Sequence, residues 1–280
     1  MRLALIQQHA GPDRAENLQR ALAAMGEARG RAADVCAFSE LAIDRFFPAE
    51  RGCSWAPEVA ETIPGPSADS IAARSRELGI VTVFNQYERV ADGRTFDSSP
   101  VFDADGLLLG ITRMVHITDY AWFHEKEYYA PGDRGAPVYD TAAGRIGVAI
   151  CYDRHFPEYM RALGVGGAEL VVIPQAGTVG EWPEGMYEAE VRAAAFQNGY
   201  FAALCNRVGV EGELTFAGES FVSDPEGRVL TRGPAGEDAL VVCDLDLAAS
   251  ADSTARRLFW RDRRPELYAK WLGEEASHGR

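Results

Sequence analysis

The sequence predicts an α/β fold of the α+β kind with mixed sheets, and three stretches carry that expectation. Ile146-Gly147-Val148-Ala149-Ile150 is a short run of small and β-branched residues, the pattern of a strand covered on both faces. The chain opens as strand, helix, strand: Leu3 to Gln8, then Asn17 to Arg29 with Leu18, Leu22 and Met25 at helical spacing, then Asp34 to Phe38. Asp105-Gly106 between two apolar runs is a hairpin turn, which brings antiparallel pairing into the sheet.

The remaining elements follow in order. Pro64-Gly65-Pro66 is a turn, and a helix with Ile71 and Leu78 on one side comes after it. Ile80 to Tyr87 reads as a strand, and Leu107 to Ile117 as the return strand of the hairpin. Val138 to Asp140 and Ile146 to Ile150 lead to Cys151, a helix through Met160 to Leu163 ends at Gly166-Gly167, and Leu170 to Pro174 is a further buried strand closed by Gln175. Tyr187 to Asn198 is an Ala-rich helix, Phe201 to Cys205 and Leu240 to Leu245 are strands, and Leu258 to Trp271 is an Arg-rich helical tail. Arg256, Arg257, Arg261, Arg263 and Arg264 are expected to form a basic strip on that tail.

Composition bounds the function. The 280 residues, 47% hydrophobic and 25% charged, suit one domain spanning 1–280 with its helical tail from about 255. A formal net charge of −14 repels nucleic acid and anionic membranes, so neither is an expected partner. The five cysteines are odd in number, widely spaced and without a CxxC pair, which suggests neither a disulfide framework nor a zinc site. No phosphate loop or metal-ligand spacing is visible, so no cofactor and no metal is expected. The chain starts directly on a strand pattern without a signal-like segment, and the expected setting is cytoplasmic and reducing.

Cys151 closes the buried strand, and sites in α/β folds gather at strand ends. A helix starting just after it would direct N–H groups and a positive dipole end at the sulfur, depressing the thiol pKa and making a nucleophile. The alternative is an inert core cysteine, the reading given to Cys36, Cys205 and Cys243 inside apolar runs. Glu40 falls at the end of another strand, at the same level of the fold; its alternative is a solvated carboxylate in a loop.

The run Gly147-Val148-Ala149-Ile150-Cys151-Tyr152-Asp153-Arg154-His155-Phe156-Pro157-Glu158 resembles the nucleophile segment of the nitrilase superfamily, the carbon–nitrogen hydrolases. Within it, the run is most similar to the N-carbamoyl amino acid amidohydrolase and β-ureidopropionase type. The resemblance spans roughly Leu3 to Tyr268 and implies a four-layer αββα sandwich and a Cys–Glu–Lys triad. Cys151 then takes the nucleophile's place, and Glu40, in Phe38-Ser39-Glu40-Leu41, that of the general base. Glu125, in His124-Glu125-Lys126-Glu127-Tyr128-Tyr129-Ala130-Pro131-Gly132-Asp133, takes that of a second carboxylate.

The third triad position departs from the family. Where the family reads Gly-x-Tyr-Arg-Lys-x-His-Ile, the chain has Gly110-Ile111-Thr112-Arg113-Met114-Val115-His116-Ile117, with Met114 in place of the lysine. Arg113 does not substitute, because successive strand residues point to opposite faces. Only Lys126 and Lys270 are lysines among 28 basic residues. Either the site has lost its cation, or Lys126 stands in for it; a plain ion pair with a neighbouring carboxylate is the other reading of Lys126. The resemblance further implies that Arg154 contacts substrate, the other reading being a pair with Glu158; Gln175, at another strand end, is expected to line the pocket, with Tyr152 and Met114 also expected around it. Asp153 reads as a helix-entry acid.

The expected activity is an amidohydrolase cleaving a non-peptide C–N bond in a small linear amide or N-carbamoyl compound through a Cys151 thioester. The alternatives are an impaired relative that binds a small amide or carboxylate, and a nitrile hydrolase or acyl transferase. A small-molecule substrate and a homodimer or higher homo-oligomer complete the expectation.

Overall fold

A computed structural model describes residues 1–273 of the chain. Its strands are β1 (Arg2–Gln7), β2 (Val35–Phe38), β3 (Val81–Val83), β4 (Gln86–Arg89), β5 (Thr95–Phe102), β6 (Leu108–Arg113), β7 (Val138–Thr141) and β8 (Gly144–Val148). They continue as β9 (Leu170–Gln175), β10 (Phe201–Asn206), β11 (Val208–Glu211), β12 (Leu214–Ala217), β13 (Phe221–Ser223), β14 (Val229–Arg232) and β15 (Ala239–Asp244). One sheet runs β15-β1-β2-β3-β5-β4 with β6 on β5, the other runs β14-β13-β10-β9-β8-β7, and β11 and β12 form a ribbon. Parallel pairs β1/β2, β2/β3, β8/β9 and β9/β10 lie at the centres, and antiparallel strands flank them.

The period of two along each strand divides the apolar residues into layers. In β1, Leu3 and Leu5 face the other sheet, while Ala4 and Ile6 face the helices Arg14–Gly30 and Pro66–Leu78 through Ala21, Met25 and Ile71. In β9, Leu170 and Val172 join the core between the sheets; Val171 and Ile173 pack under the helices Pro157–Val165 and Met186–Asn198 through Leu163, Val191 and Ala195. Helix, sheet, sheet and helix are therefore stacked in four layers, and the central strands are greasy on both faces because both faces are covered.

Three elements differ from their sequence reading. The run Ile80 to Tyr87 breaks into β3 and β4 at Asn85, whose buried side chain accepts from the Leu41 N–H at 2.6 Å and donates to Asp97 at 2.6 Å and Ser99 at 3.0 Å. The return strand ends at Arg113 rather than Ile117, because Asp153 accepts from the backbone N–H groups of Val115 and His116 and draws that segment out of the ladder. The tail is interrupted: a π turn Ala255–Phe259 and a 3-10 turn Trp260–Asp262 precede the helix Pro265–Gly273, since Pro265 disfavours helical backbone in the residue before it. Its arginines are not a uniform strip. Arg256 and Arg263 lie 3.8 and 4.0 Å from the Trp260 ring centroid, with Arg161 at 5.0 Å, so one indole is caged by guanidinium groups.

Candidate active site

The carboxyl ends of β2, β8, β9 and β10 meet at one level, and each contributes a residue. After β2 the chain turns through Ser39-Glu40-Leu41 with Leu41 at φ +46°, and Cys151, just past β8, has φ +42°. A left-handed backbone at a residue other than glycine costs roughly 1–2 kcal/mol, and such strain gathers at functional sites. It is held in place here. Arg207, past the end of β10 and buried, donates to the carbonyls of Glu40 at 2.9 Å and Leu41 at 2.6 Å and pairs with Glu211. The Leu41 N–H is fixed from the other side by Asn85.

Cys151 is 5% exposed, and Glu40 and Glu125 are fully buried. The Cys151 sulfur and one carboxylate oxygen of each glutamate all lie within 4.8 Å of one another. Gln175, at the end of β9, donates from Nε2 to the Cys151 sulfur at 3.2 Å. The orientation of its amide is fixed by Arg154, which donates from Nη1 to Gln175 Oε1 at 2.8 Å and to the Cys151 carbonyl at 3.0 Å. A guanidinium has no acceptor, so the Gln175 oxygen must face it and the amide nitrogen must face the sulfur. Arg154 also stacks on Tyr187 at 4.5 Å and approaches Glu190, not Glu158, at 3.4 Å.

Burial dominates the electrostatics. The Cys151 thiol is pushed well above its ordinary range, by desolvation first and then by Glu40 and Glu125, while Arg154 acts the other way. Glu40 is raised to about 8 by burial and by Glu125, against opposing contributions from Cys151, Asp97 and Arg207. Glu125 is likewise held well above the usual carboxylate range, by burial first and then by Asp97. The depressed thiol expected from a helix start does not occur. The α-helix begins only at Pro157, a 3-10 turn from Cys151 to His155 intervenes, and no dipole end offsets the lost hydration. The free site therefore holds a protonated thiol beside a Glu40 that ionises only near pH 8 and is then an unusually basic carboxylate.

Cys151, Glu40, Glu125 and Gln175 come together; other predicted residues stand elsewhere or act differently. Lys126 is exposed on the outer side of the 3-10 turn Glu125–Glu127 whose inner residue is Glu125, and Lys270 is exposed on the last helix. Among the described residues neither ammonium makes a hydrogen bond or ion pair with Cys151, Glu40 or Glu125, which gives the substitute role for Lys126 no support. Met114 is fully buried in the same core cluster as Cys151. Arg113 faces away from it, as expected, and pairs with Glu88 at 2.6 Å and Asp133 at 2.8 Å. The Tyr152 ring packs on His155 and Phe156. Asp153 is not a helix-entry acid: it binds the His116 ring at 2.7 Å and the backbone N–H groups that follow Met114.

Three features were not foreseen. Asp97 is a further fully buried carboxyl whose charge acts on Glu40 and Glu125, and the buried Tyr129 hydroxyl lies in the same field. Beyond them, Glu181 accepts from Tyr120 at 2.5 Å, from Tyr187 and from the Thr178 N–H at 3.1 Å. The signal for Asp97 was an acid set among the strand residues Phe96 to Phe102; that for Asn85 was a polar residue interrupting an apolar run.

Comparison with known proteins agrees with this arrangement. The carbon-nitrogen hydrolase family matches residues 2–254. An N-carbamoylputrescine amidase from Solanum lycopersicum is 33% identical over 235 residues, 78% of this chain and 77% of that protein. An omega-amidase from Xenopus tropicalis is 30% identical over 274 residues, 96% of each. The crystal structure of a carbon-nitrogen hydrolase from Helicobacter pylori G27 superimposes with a TM-score of 0.90 at 26% identity, covering 97% of this chain and 98% of that one. With Cys151 and Glu40 at the strand ends of an αββα sandwich and Glu125 brought beside them from a 3-10 turn, the chain belongs to the carbon-nitrogen hydrolase family of the nitrilase superfamily and is a cysteine-dependent amidohydrolase.

Proposed function

We propose that the protein hydrolyses a small linear amide or N-carbamoyl compound with Cys151 as nucleophile and Glu40 as general base and acid. The observation that carries this reading is the mutual approach of the Cys151 sulfur and the Glu40 and Glu125 carboxylates within 4.8 Å in a buried site. The thiol gives its proton to Glu40 as sulfur bonds to the carbonyl carbon. Protonated Glu40 then returns that proton to the departing nitrogen, the C–N bond breaks, and ammonia or an amine leaves a thioester. Water attacks the thioester, Glu40 takes its proton, and the acid departs as the thiol re-forms. The backbone N–H following Cys151 is the donor assigned to the developing oxyanion. Gln175 holds the sulfur in line, and Arg154, whose Nη2 has no protein partner among the described residues, is assigned to a carboxylate or carbonyl of the substrate.

The same reading extends to assembly and setting. Exposed Val165, Leu258, Phe259, Trp271 and Leu272 support a homodimer built on the helix after the nucleophile and the tail. Five unpaired cysteines support a reducing, cytoplasmic setting, and among the described residues no helix is long and apolar enough to cross a membrane.

Cys151→Ala is expected to abolish amide turnover with the fold intact by circular dichroism; hydrolysis at the wild-type rate would overturn the assignment. Met114→Lys is expected to raise kcat about tenfold or more, since an oxyanion donor of this kind is worth ~10²–10³ in rate. An unchanged kcat would show that the site is complete without an ammonium.

Glu40 also ties stability to pH. Its folded pKa of about 8 lies above the unfolded value near 4.5, so between these the native state holds a proton that the unfolded chain has lost. Stability therefore falls with rising pH across that window, by at most about 1.4 kcal/mol per unit for one proton. Denaturation of Glu40→Gln between pH 5 and 8 is expected to show a shallower decline; parallel curves for variant and wild type would contradict it.

A further inference from the structure

Cys151, Glu40 and Glu125 are arranged as metal ligands as well as a catalytic set. The sulfur and one oxygen of each carboxylate lie within 4.8 Å of one another, and among the described residues no other three His, Cys, Asp or Glu side chains converge so closely. Cys151 is nearly closed off and both glutamates are fully buried. Both Glu40 oxygens and Glu125 Oε1 have no hydrogen-bond partner among the described residues, and Glu125 Oε2 receives only the Thr118 N–H, at 3.5 Å. Buried carboxylate oxygens are normally satisfied, so this much unused acceptor capacity around one sulfur calls for a partner.

The chain itself places no cation there. Met114 brings a thioether where an ammonium is missing, and both lysines lie on the surface. Arg207 donates to the backbone carbonyls of Glu40 and Leu41, and Arg154 commits Nη1 to the Cys151 carbonyl and to Gln175. The donor set then selects the ion: a thiolate with two carboxylates suits a borderline-soft cation such as Zn²⁺, whereas Mg²⁺ and Ca²⁺ take oxygen ligands. Zinc bonds of about 2.0–2.3 Å on a tetrahedron set neighbouring ligand atoms roughly 3.3–3.8 Å apart, so the three groups close on an ion by shifts of about 1 Å. Three protein ligands leave the fourth position open. The Gln175 amide, donating to the sulfur at 3.2 Å and fixed by Arg154, remains a partner for a metal-bound thiolate, and outer contacts of this kind orient metal ligands.

We propose that Cys151, Glu40 and Glu125 form a site for Zn²⁺ or a cation of like chemistry, and that its occupation reversibly silences the enzyme. The silencing rests on the catalytic reading of these side chains. On binding, the thiol and the carboxyl groups give any protons they carry to the buffer as the S–Zn and O–Zn bonds form, and no electron changes hands. Nucleophile and base are then both held as ligands, and no thiolate attacks an amide until the ion leaves.

Titration of the metal-free full-length enzyme with Zn²⁺, and with Co²⁺, whose thiolate complexes absorb in the near ultraviolet, tests this. One ion per chain is expected, with a thiolate–cobalt band that Cys151→Ala abolishes. Zinc affinity is expected to fall at least about tenfold in Glu125→Gln and in Met114→Lys, which puts an ammonium where the ion would sit. Amide turnover is expected to fall as Zn²⁺ is added and to return with EDTA. A cobalt band that survives Cys151→Ala, or equal zinc affinity in wild type and the variants, would overturn the proposal; if Met114→Lys does not fold, the two ligand variants decide. Turnover indifferent to Zn²⁺ in an enzyme without a cobalt band sinks the metal site alone. A Cys151-dependent cobalt band in an enzyme whose metal-free form hydrolyses no amide sinks the catalytic reading, and the silencing with it, while the ion site stands.

Discussion

The rest of the site depends on how little negative charge one dry pocket can hold. Glu40, Asp97 and Glu125 are fully buried around Cys151, and both lysines of the chain lie outside on the surface. Two like charges about 4 Å apart repel by roughly 4 kcal/mol at the effective dielectric of a protein site, before any cost of lost hydration. Each further ionisation is therefore opposed more strongly than the last, and protons take over the compensation that an ammonium would give. This is why the thiol is raised rather than depressed and why Glu40 is basic enough to receive its proton.

The fold delivers that pocket by packing two sheets face to face. The parallel strands at the sheet centres end at the same height, so Glu40, Cys151, Gln175 and Arg207 arrive together although the chain places them far apart. Precision comes from polar clamps behind the reacting groups. Arg207 and Asn85 fix the Glu40 turn from two sides, Arg154 sets the Gln175 amide, and Asp153 fastens the segment that carries Met114. Each clamp is buried, where a missing partner is expensive, so the geometry is strongly specified.

Much of this was legible in the sequence, and what was not has a physical cause. Cys151 and Glu40 each close an apolar strand, where an α/β sheet exposes reacting groups, but position alone left an inert core cysteine and a solvated carboxylate open, and the resemblance of the flanking motifs to the family decided between them. Asp97 was hidden because an acid among strand residues reads as the solvated face until the pairing of β5 with β4 and β6 is known. Asn85 was hidden by its apolar neighbours, which read as one continuous strand. Lys126 misled because it adjoins Glu125 in sequence; consecutive residues of a helical turn point in different directions, and one goes in while the next goes out. The tail helix was over-extended because its periodicity continues across the break at Pro265.

A Cys151 thioester formed during C–N bond cleavage is the step on which the proposed chemistry turns. Acid-quenching the enzyme during turnover of a small amide and mapping its peptides by mass spectrometry tests this most directly. An acyl group of the substrate's mass is expected on the peptide containing Cys151, lost on treatment with hydroxylamine. Steady turnover with acyl mass on another residue, or with wild-type rates after Cys151→Ala, would contradict it.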